Sequence, residues 1–210
     1  MDPGIFLIHA LNALQYGLLL FLVASGLTLI FGIMGIINLA HGSFYMIGAY
    51  MAFALGPLVQ AHLGGGFFVT LAVCVAAAVL YWVVTRTRIG MMVRAGASNR
   101  EMIGSLGVNI NRLYRWVFAV DVAMAALAGA LAAPVSSVYP GMGQGVLIIC
   151  FVVVVIGGIG SIRGTFLAAM LVAAIETFGQ VLFPAAAGVL VYLLMATILL
   201  FRPEGLFRQG

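Results

Sequence analysis

Charge is what this 210-residue chain lacks most: 7% of its residues are charged, against 65% hydrophobic. Soluble domains carry roughly 25% charged residues, because water must be met over most of their surface. So little charge excludes a water-covered fold and fits a lipid-covered one, where apolar side chains cost nothing. The mean hydropathy of +1.25 says the same. Lysine is absent; the nine basic residues are all arginine. The net charge of +4 is therefore no nucleic-acid signal. The arginines stand in short stretches between apolar runs, as the positive-inside rule expects of a membrane protein.

Cysteine is nearly absent too. Cys74 and Cys150 both sit inside apolar runs, where the expected role is a small buried hydrophobe rather than a disulfide or metal ligand. No lysine or arginine precedes Arg86, so the first apolar run has no basic leader segment in front of it. It is also too long for a signal core and reads as a membrane helix. No Gly-x-x-x-x-Gly-Lys-Ser/Thr stretch occurs, so ATP binding by this chain is not expected. No Ser/His or His/Glu pairing at helical spacing points to an intramembrane enzyme, and no cofactor or metal site is expected.

What is present is a succession of apolar runs. With about 20 residues needed per crossing, the expected fold is all-α, a polytopic bundle of about seven spanning helices in one domain, residues 1–210. The runs are Ile5–Ile33, Ile36–Val59, Phe67–Val84, Trp116–Ala133, Gly145–Ile159, Thr165–Phe183 and Gly188–Phe201. Arg86, Arg88, Arg94, Arg100, Arg112 and Arg115 fall in the polar loop 85–115, which places that loop in the cytosol. Alternation then brings Arg163, Arg202 and Arg208 to the same side, with the N-terminus outside and the C-terminus cytoplasmic. Tyr81, Trp82, Tyr114 and Trp116 fall at the expected interfaces.

The loop has local order of its own. Ser98-Asn-Arg-Glu101 fits a capping box, and Gly107 can close the helix behind it. About two turns result, with Met102, Ile103 and Leu106 on one face. A helix that short needs something to pack on, either the membrane surface and its own helix ends or a cytoplasmic partner. Asn109 or Asn111 offers the cap of the next membrane helix.

Four polar residues in apolar surroundings invite a role. Glu176 lies midway along its run, where a carboxylate normally faces the bundle interior or a water-filled cavity. It can line a path or tie helices together. Asp121, nearer its helix start, reads as structural, within reach of interfacial water or Arg115. Asn38 and His41 flank a Gly-rich break that ends at Gly42; such breaks either expose backbone to a ligand or cap a helix. Asn38, His41, Gly42 and Glu176 are the candidate path residues. Gly157-Gly-Ile-Gly160-Ser161-Ile-Arg163-Gly164 lacks the lysine and strand of a phosphate loop and reads as a tight turn between membrane helices.

The stretch from Gly26-Leu-Thr-Leu-Ile-Phe-Gly32 through Asn38-Leu-Ala-His41-Gly42 to Gly48-Ala-Tyr50 resembles the hallmark of LivH-type permeases, the membrane subunits of ATP-binding-cassette importers for branched-chain amino acids. Arg86-Thr-Arg-Ile-Gly90 with Arg94, Glu101 and Gly107, then Gly157-Gly-Ile-Gly160-Ser161, then Phe201-Arg-Pro-Glu-Gly-Leu206 resemble the family in the same order. The chain departs from it in two places. Family members carry an extra pair of hydrophobic segments before Arg86, which this chain fuses within Phe67–Val84, and Arg163 stands where the family often has proline. The resemblance implies a permease subunit in a bacterial inner membrane, partnered by cytoplasmic ATPase subunits, a second permease and an extracytoplasmic substrate-binding protein. It makes the loop helix the coupling element, with Arg94, Ser98, Glu101, Met102, Ile103, Gly104, Leu106 and Gly107 facing the ATPase. Substrates among relatives extend to urea and short amides. From the residues alone, an ion-coupled transporter or channel remains the alternative, although it should show more intramembrane charge.

Overall fold

The computed structural model describes residues 3–63 and 109–207, with the backbone alone for 55–63. Among these residues it is entirely helical: α1 (Pro3–Met34), α2 (His41–Leu63), α3 (Ile110–Ala132), α4 (Met142–Gly157), α5 (Ile162–Leu182) and α6 (Ala187–Phe201). The expected span Phe67–Val84 and the coupling residues Arg94, Ser98, Glu101, Met102, Ile103, Gly104, Leu106 and Gly107 lie outside the described residues.

Among the described residues, three helices, α1, α3 and α5, are long and apolar enough to cross a membrane. At 16 and 15 residues, α4 and α6 reach only about 22–24 Å at 1.5 Å per residue, short of the ~30 Å hydrocarbon core. Exposed Leu193, Leu200 and Phe201 on α6, and Ile148 on α4, give these helices lipid-compatible outer faces.

At the centre is α1, which packs against α3, α4 and α5. Phe21, Leu22, Leu27, Ile30 and Ile33 are its fully buried large side chains. Neighbouring helices approach through small residues, the means by which lipid-embedded helices gain contact when hydrophobicity cannot drive them together. A Cβ on Gly48 would strike the backbone of Ala126; one on Gly129 would strike Tyr45. The same holds for Gly42 against Gly143 and for Gly157 against Gly164.

The two ends of the bundle are distinct. Thr28 and Thr165 share a hydrogen bond of 2.8 Å, and Tyr16 reaches Glu176, so α1 and α5 run antiparallel. Gly26 abuts Asp121, while His9 and Val135 line one cavity, so α3 is antiparallel to α1 as well. One end therefore gathers the start of α1 with the ends of α3 and α5. The other holds the starts of α3 and α5, the end of α4 and the tail after α6. The four described arginines, Arg112, Arg115, Arg163 and Arg202, all belong to that second end.

Local caps follow the sequence. Asn109, not Asn111, caps α3: its side chain accepts from the Arg112 amide at 3.1 Å. The glycine stretch is a tight turn. Gly158 and Gly160 take φ of +93° and +79°, and the Ser161 hydroxyl accepts from the Gly164 amide to start α5. Beyond α6 the tail returns to this turn, with Leu206 and Phe207 amides donating to the Ile156 and Gly157 carbonyls at 2.8 and 3.3 Å. Two of the stretches that carry the family resemblance, at Gly157–Ser161 and Phe201–Leu206, are thus one packed knot.

The second helix differs from expectation. Its apolar run reads as a span from Ile36, but residues 35–40 are not helical and α2 starts at His41. The His41 ring lies beside Val23 and Gly26, eight to eleven residues before α1 ends at Met34. That is about 12–16 Å back along the helix. The chain therefore doubles back after Gly35, whose φ is +65°, and α2 begins inside the bundle rather than at its surface.

Candidate functional site

Two polar centres sit within the helices. The first is a clasp at the start of α2. His41 and Asp121 are both fully buried, and Nδ1 of the ring lies 2.8 Å from Oδ1 of the carboxylate. The contact is an ion pair by distance; neither atom has an aligned hydrogen bond. The other carboxylate oxygen accepts from Asn38 Nδ2 at 3.1 Å, and Asn38 Oδ1 accepts from the Ala40 amide. His41 Nε2 is 3.1 Å from the Val23 carbonyl. A carbonyl only accepts, so Nε2 carries a hydrogen and donates. Burial of the two groups is tolerable because each faces the other and has one further polar partner.

The clasp explains how the non-helical segment is held. Residues 35–40 leave backbone groups without helical partners, and in lipid each unmet group costs several kcal/mol. Asn38 meets one amide directly and fastens the segment to α3 through Asp121. Gly26 leaves the room: a Cβ there would collide with Asp121 and crowd the His41 ring.

The second centre is a cavity of about 660 Å³ at the end that holds none of the described arginines. From α1 come His9, Asn12, Gln15 and Tyr16; from α5 come Glu176, Thr177 and Gln180. Leu19, Val135 and Val181 complete the wall. The Tyr16 hydroxyl donates to Glu176 Oε2 at 2.9 Å. Glu176 thus faces a cavity and is also tied to another helix.

Of the four candidate path residues, Asn38 and His41 come together, with Asp121 as their shared partner. Gly42 is next to them in sequence but packs backbone to backbone on Gly143. Glu176 is elsewhere: its partner Tyr16 lies ten residues along α1 from Gly26, about 15 Å. Asp121 reaches neither interfacial water nor Arg115, because its helix turns it fully into the bundle; Arg115 Nε instead bonds the Asn111 carbonyl. The polar face of α1 was missed by sequence reasoning. Its signal was present, since positions 9, 12 and 16 follow helical spacing within an apolar run. Among the described residues, no group of three His, Cys, Asp or Glu side chains could hold a metal ion.

A family model described as branched-chain amino acid transport system / permease component matches residues 9–79 and 60–200. The chain belongs to this family. Among curated relatives, the high-affinity branched-chain amino acid transport system permease protein BraD of Pseudomonas aeruginosa is 28% identical, over 96% of this chain and 95% of its own length. The permease protein LivH of the corresponding Escherichia coli system is 24% identical, over 95% and 96%; that of Salmonella typhimurium has the same values. No solved structure matches the chain. The two matched pieces share residues 60–79, and the BraD alignment runs over 293 positions against 210 residues here. Both features follow if these relatives of the permease carry an internal stretch that this chain lacks. That is the departure expected within Phe67–Val84.

Proposed function

We propose that the chain is a membrane subunit of an importer for branched-chain or other apolar amino acids, powered by separate ATPase subunits. The observation that carries this reading is the family match over both ends of the chain, joined to a lipid-compatible bundle with a polar cavity at one end. Its partners are cytoplasmic ATPase subunits, a second permease copy or homologue, and an extracytoplasmic binding protein. The segment around Ser98–Gly107 seats on the ATPase. The arginine-bearing end faces the cytosol, by the positive-inside rule. The cavity then opens outward, where a binding protein would deliver its load, and the N-terminus is outside. Urea and short amides are the second substrate class.

Vesicles containing this subunit with its ATPase and second permease subunits should take up leucine when ATP is supplied and the binding protein is present. Uptake should stop without ATP. Vesicles that hydrolyse ATP yet accumulate no leucine, isoleucine or valine would refute the substrate assignment, and uptake of urea or acetamide by them would replace it.

A further inference from the structure

We infer that the cavity between α1 and α5 is itself a low-affinity subsite for the amino acid, with Glu176 receiving the α-ammonium group. This rests on the importer reading and goes beyond it, because it assigns recognition to the membrane subunit as well as to a delivering protein. The cavity's volume, about 660 Å³, lies within the ~300–1,000 Å³ range of small-molecule sites. Among the described residues its wall holds one carboxylate, one histidine (His9) and neither lysine nor arginine, so the carboxylate is the group that can attract a cation. Tyr16 binds one oxygen of Glu176. That bond fixes the carboxylate's direction and leaves the second oxygen for a ligand.

The rest of the wall has the chemistry of the rest of the ligand. Asn12 and Gln180 carry amide N–H donors, which a carboxylate accepts from. Leu19 and Val181 offer an aliphatic surface to a branched side chain. A zwitterion with an apolar tail meets a partner for each of its three parts. Urea would leave the carboxylate and the aliphatic surface unused.

The test uses the assembled permease and ATPase complex in nanodiscs, without binding protein, so that only the membrane subunits can recognise the ligand. The probes are L-leucine and 2-hydroxy-4-methylpentanoate, which differs by a hydroxyl in place of the ammonium. Saturation-transfer NMR should show leucine binding in the millimolar range and the hydroxy acid at least tenfold weaker. Glu176→Gln should weaken leucine at least tenfold and abolish the difference between probes; Tyr16→Phe should keep the preference for leucine. Equal binding of both probes by the wild-type complex would overturn the inference without requiring any variant. So would undetectable leucine binding, or unchanged leucine affinity in Glu176→Gln. If vesicle uptake succeeds while any of these occurs, the subsite fails and the importer reading stands. A complex that imports nothing removes both.

Discussion

Asp121→Ala is expected to cost the purified permease about 3–5 kcal/mol, the range for removing one member of a buried ion pair. The substitution leaves the fully buried His41 ring without its facing carboxylate and takes the acceptor from the half-buried Asn38 amide. It also frees the segment 35–40 from α3. Total stabilities of 5–15 kcal/mol are typical of folded proteins, so a loss of this size removes much of the margin. Thermal unfolding in detergent, followed by size-exclusion chromatography, should show a sharply lower midpoint. Asp121→Asn keeps the shape and an acceptor for Asn38, and its loss should be smaller. The double variant His41→Ala/Asp121→Ala should fall short of the sum of the two single losses, because each single change already breaks the same pair. A midpoint for Asp121→Ala equal to that of the wild type would show that the clasp holds nothing.

Gly48→Leu and Gly129→Leu should each prevent α2 from docking on α3. At these positions the facing atoms are backbone, of Ala126 and Tyr45. Backbone cannot swing aside as a flexible side chain can. Overpacking a core by a methylene or two typically costs about 1–3 kcal/mol, which is the loss expected for Gly129→Ala. Leucine at either site has no room at all, and no monodisperse protein should be recovered. Gly145→Ala and Gly188→Ala provide the control. Nothing lies within 4 Å of a Cβ at these glycines, both sit in helices, and alanine there should be neutral or slightly stabilising. Similar behaviour of the buried and open glycines would contradict the packing described.

Why some features were legible in the sequence and others were not has a physical basis. Helix existence follows from local runs of apolar residues. The first span, expected over Ile5–Ile33, is α1 at Pro3–Met34, and the glycine turn before α5 lies where its pattern put it. Caps depend on neighbours three residues away, so Asn109 could be named as one of two candidates, with Asn111. The inward start of α2 could not be read, because Ile36, Ile37 and Leu39 are as apolar as any helix residues and yet are exposed on non-helical backbone. In lipid, hydrophobicity marks depth and carries no direction of travel.

Pairings across the chain were equally invisible. His41 and Asp121 were each singled out, but 80 residues separate them; Tyr16 and Glu176 are 160 apart. Sequence shows that a buried polar group needs a partner; it does not show which helix supplies it. The knot between the glycine turn and the tail is the same case. Gly205 presses on Gly158, and only the fold brings the two stretches together.

The orientation of the bundle, with the Glu176 cavity outward and the arginine-bearing end in the cytosol, carries the most weight and can be measured directly. Gln180 and Arg202 are exposed at opposite ends. Cysteine can replace each in turn, in a chain with Cys74 and Cys150 changed to serine. Intact spheroplasts are then treated with a maleimide that cannot cross the bilayer. Gln180→Cys should react before lysis and Arg202→Cys only after it. Rapid reaction of Arg202→Cys in intact spheroplasts, with Gln180→Cys protected, would turn the bundle over and contradict an outward-facing cavity.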